Sequence, residues 1–187
     1  MRELSLHILD LVQNSLEAKA SKVSLNVVED LAGDLLVITV RDNGRGMSEG
    51  EAKSVVDPFV TSRHTRRVGL GLPLIDMYTK LCDGRLEIQS QQGNGTTVKA
   101  VFRYSHFDRP PLGDMVGTIR TIVIANPSLD FNYCHAVGTQ SFSLSTREIV
   151  EALGDVPLSF PDVIVWLGEY LKNNLARLYG GVTDEND

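Results

Sequence analysis

Between Leu35 and Val40 the chain runs LLVITV, six apolar or β-branched residues without a break, and passes directly into RDNGRGM. A short unbroken run of this kind suits a buried strand rather than a surface helix. The strand would deliver a carboxylate, Asp42, to the end of a sheet, followed by a turn built on Gly44 and Gly46. The preceding KVSLNVVED reads as its neighbouring strand. Ahead of both, Leu4, Ile8, Leu11, Val12 and Leu16 recur at helical spacing, so a helix is expected from about Glu3 to Ala18.

The rest of the chain alternates in the same way. Ser48 and Glu51 form a capping-box pair at the start of a short helix, SEGEAKSVV. After the loop DPFVTSRHTRRVGLG, Pro73 fits the first turn of a helix that ends near Gly84. RLEIQSQQ and GTTVKAVFRY read as a hairpin through Gly93 and Gly95. HFDRPPLGD, with its paired prolines, reads as a linker. Beyond it we expect a strand, GTIRTIVIA, and a hairpin, DFNYCHAVGTQSFSLS. A helix opened by a second capping box, Ser145 with Glu148, comes next. The last helix has Val163, Leu167, Leu171, Leu175 and Leu178 on one face. The expected organisation is a domain over residues 1–104, a linker over 105–115 and a small α/β unit over 116–187. Phe131, Tyr133, Phe142 and Trp166 would serve either that unit's core or an interface.

Composition removes several function classes. A net charge of −6 argues against nucleic acid as a general partner. No apolar run approaches the ~20 residues of a membrane helix, and the N-terminus has no signal-peptide core, so a cytoplasmic setting is expected. Two cysteines, Cys82 and Cys134, lack metal-ligand spacing. No G-x-x-x-x-G-K-[ST] is present, and GLGLP lacks the third glycine of the dinucleotide fingerprint.

The first helix carries an unusual polar stripe. His7, Asp10, Asn14 and Glu17 follow at steps of three and four and share one face. Solvation accounts for His7 and Glu17. Asn is more at home in caps and turns than mid-helix, so Asn14 calls for a reason. Three glycine motifs follow: DNGRGM, VGLGLP and GNGTTV.

In this order the motifs resemble the Bergerat-fold (GHKL) superfamily of histidine kinases, anti-sigma-factor serine kinases, type II topoisomerases, Hsp90 chaperones and mismatch-repair ATPases. DLVQNSLEA resembles its N box at Asp10, Asn14, Ser15 and Ala18. Asp42, Gly44 and Gly46, then Gly69, Gly71 and Leu72, then Gly93, Gly95 and Thr96 resemble its glycine boxes. DPFVTSR resembles its F box, with Phe59 at the aromatic position. The resemblance spans Met1 to about Tyr104. It implies an α/β two-layer sandwich, a mixed sheet with helices on one face.

It also implies an ATP and Mg²⁺ site. Asp42 would accept from the adenine amino group and repel guanine's carbonyl, with Thr96 helping to hold a water against the ring. Gly44 and Gly46 would let the backbone approach the base, and Met47 would supply a soft apolar contact. Gly69, Leu70, Gly71 and Leu72 would present backbone N–H groups to the phosphates. Asn14 would give Mg²⁺ a neutral oxygen. Asp10, where many relatives have Glu, would orient or deprotonate the attacking group. Arg63, with His64, Arg66 and Arg67, is either a lid that meets the triphosphate or a solvated loop.

Histidine kinases carry their phosphoacceptor on a helical hairpin before this domain, whereas this sequence opens at the N box. The expected function is therefore Mg-ATP-dependent phosphoryl transfer to a separate regulatory or substrate protein, as in stand-alone anti-sigma serine kinases. A second copy of the chain is a further candidate partner. The alternatives are an ATP-hydrolysing conformational switch and a nucleotide sensor without turnover.

Overall fold

Residues 3–55 and 71–180 are described by a computed structural model of the chain. The strand pair that anchored the sequence reading is central. β1 (Lys22–Asp30) and β2 (Leu35–Asp42) pair antiparallel, from Val23 opposite Asp42 to Asp30 opposite Leu35. The hairpin β3 (Arg85–Gln91) and β4 (Gly95–Arg103) adds to β2. On the other side β5 (Asp130–Val137) runs parallel to β1, and β6 (Gln140–Ser145) closes the order β3-β4-β2-β1-β5-β6.

Strand alternation decides which face is covered. Val23, Leu25 and Val27 of β1, Leu36, Ile38 and Val40 of β2, and Phe131 and Tyr133 of β5 are all buried on one face. Lys22, Asn26 and Arg41 point the opposite way and are exposed. β2 is therefore covered on one face only, although its sequence is an unbroken apolar run. The helices pack against the apolar face. α1 (Leu4–Glu17) contributes Leu4, Ile8, Leu11 and Val12 to the core. α3 (Gly71–Leu81) contributes Leu72 and Ile75. Burying each such aliphatic side chain is worth about 1.5–3 kcal/mol. The short α2 (Glu49–Ser54) begins with the expected capping box.

GTIRTIVIA is not a strand. It forms α4 (Met115–Ala125), with the Asp114 carboxylate accepting from Gly117 N at 2.8 Å. Met115, Ile119, Ile122 and Val123 are buried, a helical spacing that the β-branched composition hid. Thus α4 crosses over between β4 and the parallel strand β5. The Ser145–Glu148 capping box does not form either. Ser145 makes no side-chain cap to α5 (Thr146–Leu153). Instead Thr146 Oγ1 donates to the Leu129 carbonyl and accepts from Phe131 N, both at 2.9 Å, pinning the helix start to β5. α6 (Pro161–Leu178) buries the five apolar residues expected of it. Phe131, Tyr133 and Phe142 pack in the core, whereas Trp166 is 44% exposed.

The segment between β4 and α4 is bonded to the first helix. Leu4 N and Ser5 N, which lack intrahelical acceptors, donate to the carbonyls of Pro111 and Leu112 at 2.9 and 2.8 Å. Glu3 Oε2 accepts from Asp114 N at 3.1 Å.

Candidate functional site

At one end of the sheet, between α1, α2, the start of α3 and strands β2 and β4, lies a cleft of about 370 Å³. That volume is in the range of small-molecule sites. Its walls are mostly apolar, with Leu11, Val40, Met47, Leu72 and Val98 among them, and its polar groups include Asn14, Asp42 and Thr96.

Asp42 is the best-anchored group. Ser15 Oγ donates to its Oδ2 at 2.8 Å. Gly44 N and Thr96 N donate to its Oδ1 at 2.8 and 3.3 Å. Three donors fix one carboxylate, a rigid acceptor at the cleft wall. Ser15 is delivered by the buried side of α1, one residue beyond Asn14. Thr96 arrives by the register of the β3–β4 hairpin, in which Ser90 lies directly opposite it. Their hydroxyls bond at 2.8 Å, and Ser90 Oγ also accepts from Met47 N at 2.8 Å. Sequence reading assigned no site role to Ser15 or Ser90. Ser15 had a signal in its place beside Asn14, but Ser90 had none.

The loop after Asp42 is clamped on three sides. Asn43 Oδ1 accepts from Ser21 N and Lys22 N at 2.9 and 2.8 Å. Arg45 N donates to the Ala18 carbonyl at 2.9 Å, and Gly93 N donates to the Arg45 carbonyl at 2.7 Å. This packing, within the protein itself, already demands the two glycines. A Cβ on Gly44 would lie 2.8 Å from the Ala18 carbonyl oxygen. One on Gly46, whose φ is +64°, would lie 2.0 Å from the carbonyl oxygen of Gln91.

Asn14 is half-buried and lines the cleft. Asp10, one turn earlier, is exposed and does not line it. It sits against the start of α3, where a Cβ on Gly71 would come within 3.1 Å of its own Cβ. Leu72 reaches the cleft from the next position. Arg63, Gly69 and Leu70, with Phe59, His64, Arg66 and Arg67, lie outside the described residues. His7 is not solvated as expected. It is 2% exposed, with its ring centroid 5.4 Å from that of Tyr78.

A second buried polar cluster lies away from the cleft. His135 Nε2 bonds Glu29 Oε1 and its Nδ1 bonds the Tyr133 hydroxyl, each at 2.8 Å. Tyr179 also donates to Glu29. Burial opposes the Glu29 charge, yet hydrogen bonds from His135, Tyr179 and Tyr104 outweigh it and hold the carboxyl below its ordinary range. Burial pushes both Tyr133 and Tyr179 up. Both ring nitrogens of His135 and the hydroxyls of Tyr133 and Tyr179 have partners, as a packed structural network requires.

Comparison with known proteins places these residues in context. Residues 2–106 match the family of histidine kinase-, DNA gyrase B-, and HSP90-like ATPases. A putative sensor protein of Shewanella frigidimarina (strain NCIMB 400) is 29% identical over 103 residues, covering 54% of this chain and 16% of that protein. The sensor histidine kinase YxdK of Bacillus subtilis (strain 168) is 34% identical over 88 residues, covering 45% and 26%. The aligned stretches thus take up about a quarter or less of these relatives' length. Among solved structures, the N-terminal domain of a DNA repair protein superposes with a TM-score of 0.58 at 16% identity, covering 82% of this chain and 57% of that one. That likeness is one of fold, and its 82% coverage extends beyond residues 2–106 into the C-terminal elements.

Proposed function

This chain belongs to the family of histidine kinase-, DNA gyrase B-, and HSP90-like ATPases, and from that premise we propose that its cleft binds Mg-ATP and serves phosphoryl transfer to a separate protein. The observation that carries the reading is the Asp42 carboxylate, held by Ser15, Gly44 and Thr96 in a mostly apolar cleft. An ionised carboxylate accepts hydrogen bonds and offers none. It therefore suits the exocyclic amino group of adenine and opposes the carbonyl that guanine carries in its place. Met47, Val40 and Val98 offer the apolar surface a purine ring needs.

The donor set suits the metal as well. Asn14 lines the cleft, and its side chain carries a neutral amide oxygen, the kind of ligand Mg²⁺ accepts beside waters and phosphate oxygens. The phosphates belong toward α3, whose positive N-terminal end begins at Gly71. Gly69, Leu70 and Arg63 are assigned to the same phosphates. When bound, Mg-ATP supplies an activated phosphoryl group. Asp10, beside Gly71, would take the proton from the attacking hydroxyl at its carboxylate.

A second reading, an ATP-hydrolysing switch, draws support from the bonds between α1 and residues 111 and 112. Any shift of the N-box helix would pull on the segment that leads into α4.

Incubation of the purified chain and a candidate partner with γ-labelled Mg-ATP separates the readings. Acid-stable label on the partner supports transfer to Ser or Thr, and acid-labile label there supports transfer to His. Free phosphate alone supports the switch, and tight binding without turnover a sensor. Acid-labile label on this chain, lost in one His→Ala variant, would replace transfer to a separate protein with self-phosphorylation.

A further inference from the structure

A second cleft, of about 510 Å³, lies on the far side of the sheet order from the Asp42 site, between edge strand β6 and helices α5 and α6. Leu144, Ile149, Leu153, Val163, Trp166 and Tyr170 line it. Trp166 and Tyr170, one turn apart on α6, stack with ring centroids 5.1 Å apart and an interplanar angle of 17°. Both stay partly exposed, at 44% and 37%. Val150, Phe160 and Val165, on the same two helices and their connection, are exposed as well but do not line the cleft. Large aromatics left open in a concave apolar patch are the usual make-up of a binding surface.

Two further features describe the occupant. The first is charge. Glu148 and Asp162 line the cleft, and residues 146–170 carry five carboxylates, those two with Glu151, Asp155 and Glu169, against one cation, Arg147. Arg147 is already bonded to Glu151 at 3.2 Å. The second is the edge. Ser143, Leu144 and Ser145 line the cleft, and among the described residues β6 pairs with β5 alone. A strand edge beside an apolar groove is the arrangement that takes an added peptide strand.

We propose that this cleft docks an extended segment of a partner protein, in which one apolar side chain is flanked at its second neighbours by Lys or Arg. The strand period of two puts those three side chains on one face. The apolar one enters against Trp166 and Tyr170, and the cations lie by Glu148 and Asp162. A second copy of this chain would bring the same acidic face, and the last seven residues carry Asp184, Glu185 and Asp187, again the wrong charge. The inference stands apart from the nucleotide site and needs no turnover.

Trp166 is the only tryptophan, so its fluorescence reports this cleft directly. The probe is the capped peptide Ser-Lys-Ser-Leu-Ser-Lys-Ser, titrated into the full chain. Its controls are the same peptide with Glu for Lys and one N-methylated at alternate residues. The expected result is a saturable emission change with the lysine peptide only, weakened by added salt. The double variant Glu148→Gln, Asp162→Asn alters exposed groups and should keep the fold, while weakening binding roughly tenfold. No saturable change up to ~1 mM lysine peptide overturns the proposal, as does an equal response to the glutamate peptide or unaltered binding in the double variant. Equal binding of the N-methylated peptide refutes strand addition. Concentration-dependent Trp166 emission without peptide, matched by sedimentation, gives the cleft to a second copy instead.

Discussion

Replacing Gly46 by alanine tests whether the glycines after Asp42 serve the loop's packing before they serve any ligand. Two costs apply. A non-glycine residue at φ +64° costs about 1–2 kcal/mol. The new Cβ would also sit 2.0 Å from the Gln91 carbonyl oxygen, a contact with backbone rather than a flexible side-chain end. Gln91 pairs with Gly95 at the end of the β3–β4 hairpin and accepts from Asn94 N, so it has little room to retreat. Forced displacements of this kind add about 1–3 kcal/mol. The sum, about 2–5 kcal/mol, should appear as a fall in melting temperature of roughly 4–20 °C. Gly93→Ala is the control. Its φ of +84° is equally left-handed, but a Cβ there meets nothing within 4 Å, so only the conformational cost of about 1–2 kcal/mol remains. Urea unfolding of both variants without nucleotide measures the difference. If they lose equal stability, the clash with Gln91 is not what fixes glycine at position 46.

Calorimetry should find ATP bound in preference to GTP and binding abolished in Asp42→Ala; equal affinity for both nucleotides would remove Asp42 from adenine recognition. Ser15→Ala takes one of three donors from the Asp42 carboxylate and should weaken ATP binding about tenfold, at the low end for a hydrogen bond to a charged group. Asn14→Ala should weaken the Mg²⁺-dependent part of binding, whereas Asp10→Asn should spare affinity and lower turnover; unchanged turnover would make Asp10 a surface acid. Glu29→Gln should cost about 2–4 kcal/mol at neutral pH by breaking the buried network with His135 and Tyr179. Because the Glu29 carboxyl is held below its ordinary 4.5, its contribution is present above that pH and lost as pH falls through the lowered value. The gap between wild type and variant should therefore narrow on acidification, and a gap that stays constant until acid unfolds both proteins would refute the assignment.

The sequence alone determined whatever rests on local periodicity and short-range bonding. The core face of α6, the alternation of β1 and the Ser48–Glu51 box each depend on residues within a few positions of one another, so their physics is written in order along the chain. The sequence also put Asp42 at a strand end and Asn14 mid-helix, where a functional reason was needed to explain them. It misread α4 because Ile, Val and Thr favour strands, whereas the Asp114 cap and burial against the core favoured helix. His7 was misjudged for a related reason. Its place on a polar stripe says nothing of Tyr78, which α3 brings over it. Only the tertiary structure decided the contacts made across long separations. Ser15 meets Asp42 because α1 packs on the sheet beside β2. Thr96 reaches the same carboxylate because β4 pairs with β2, and Ser90 faces Thr96 through hairpin register. The parallel pairing of β1 with β5 likewise makes one sheet of the N- and C-terminal residues and brings Glu29 to His135. Strand register and helix packing are fixed by burial of the whole apolar face at once, so no local stretch of sequence contains them.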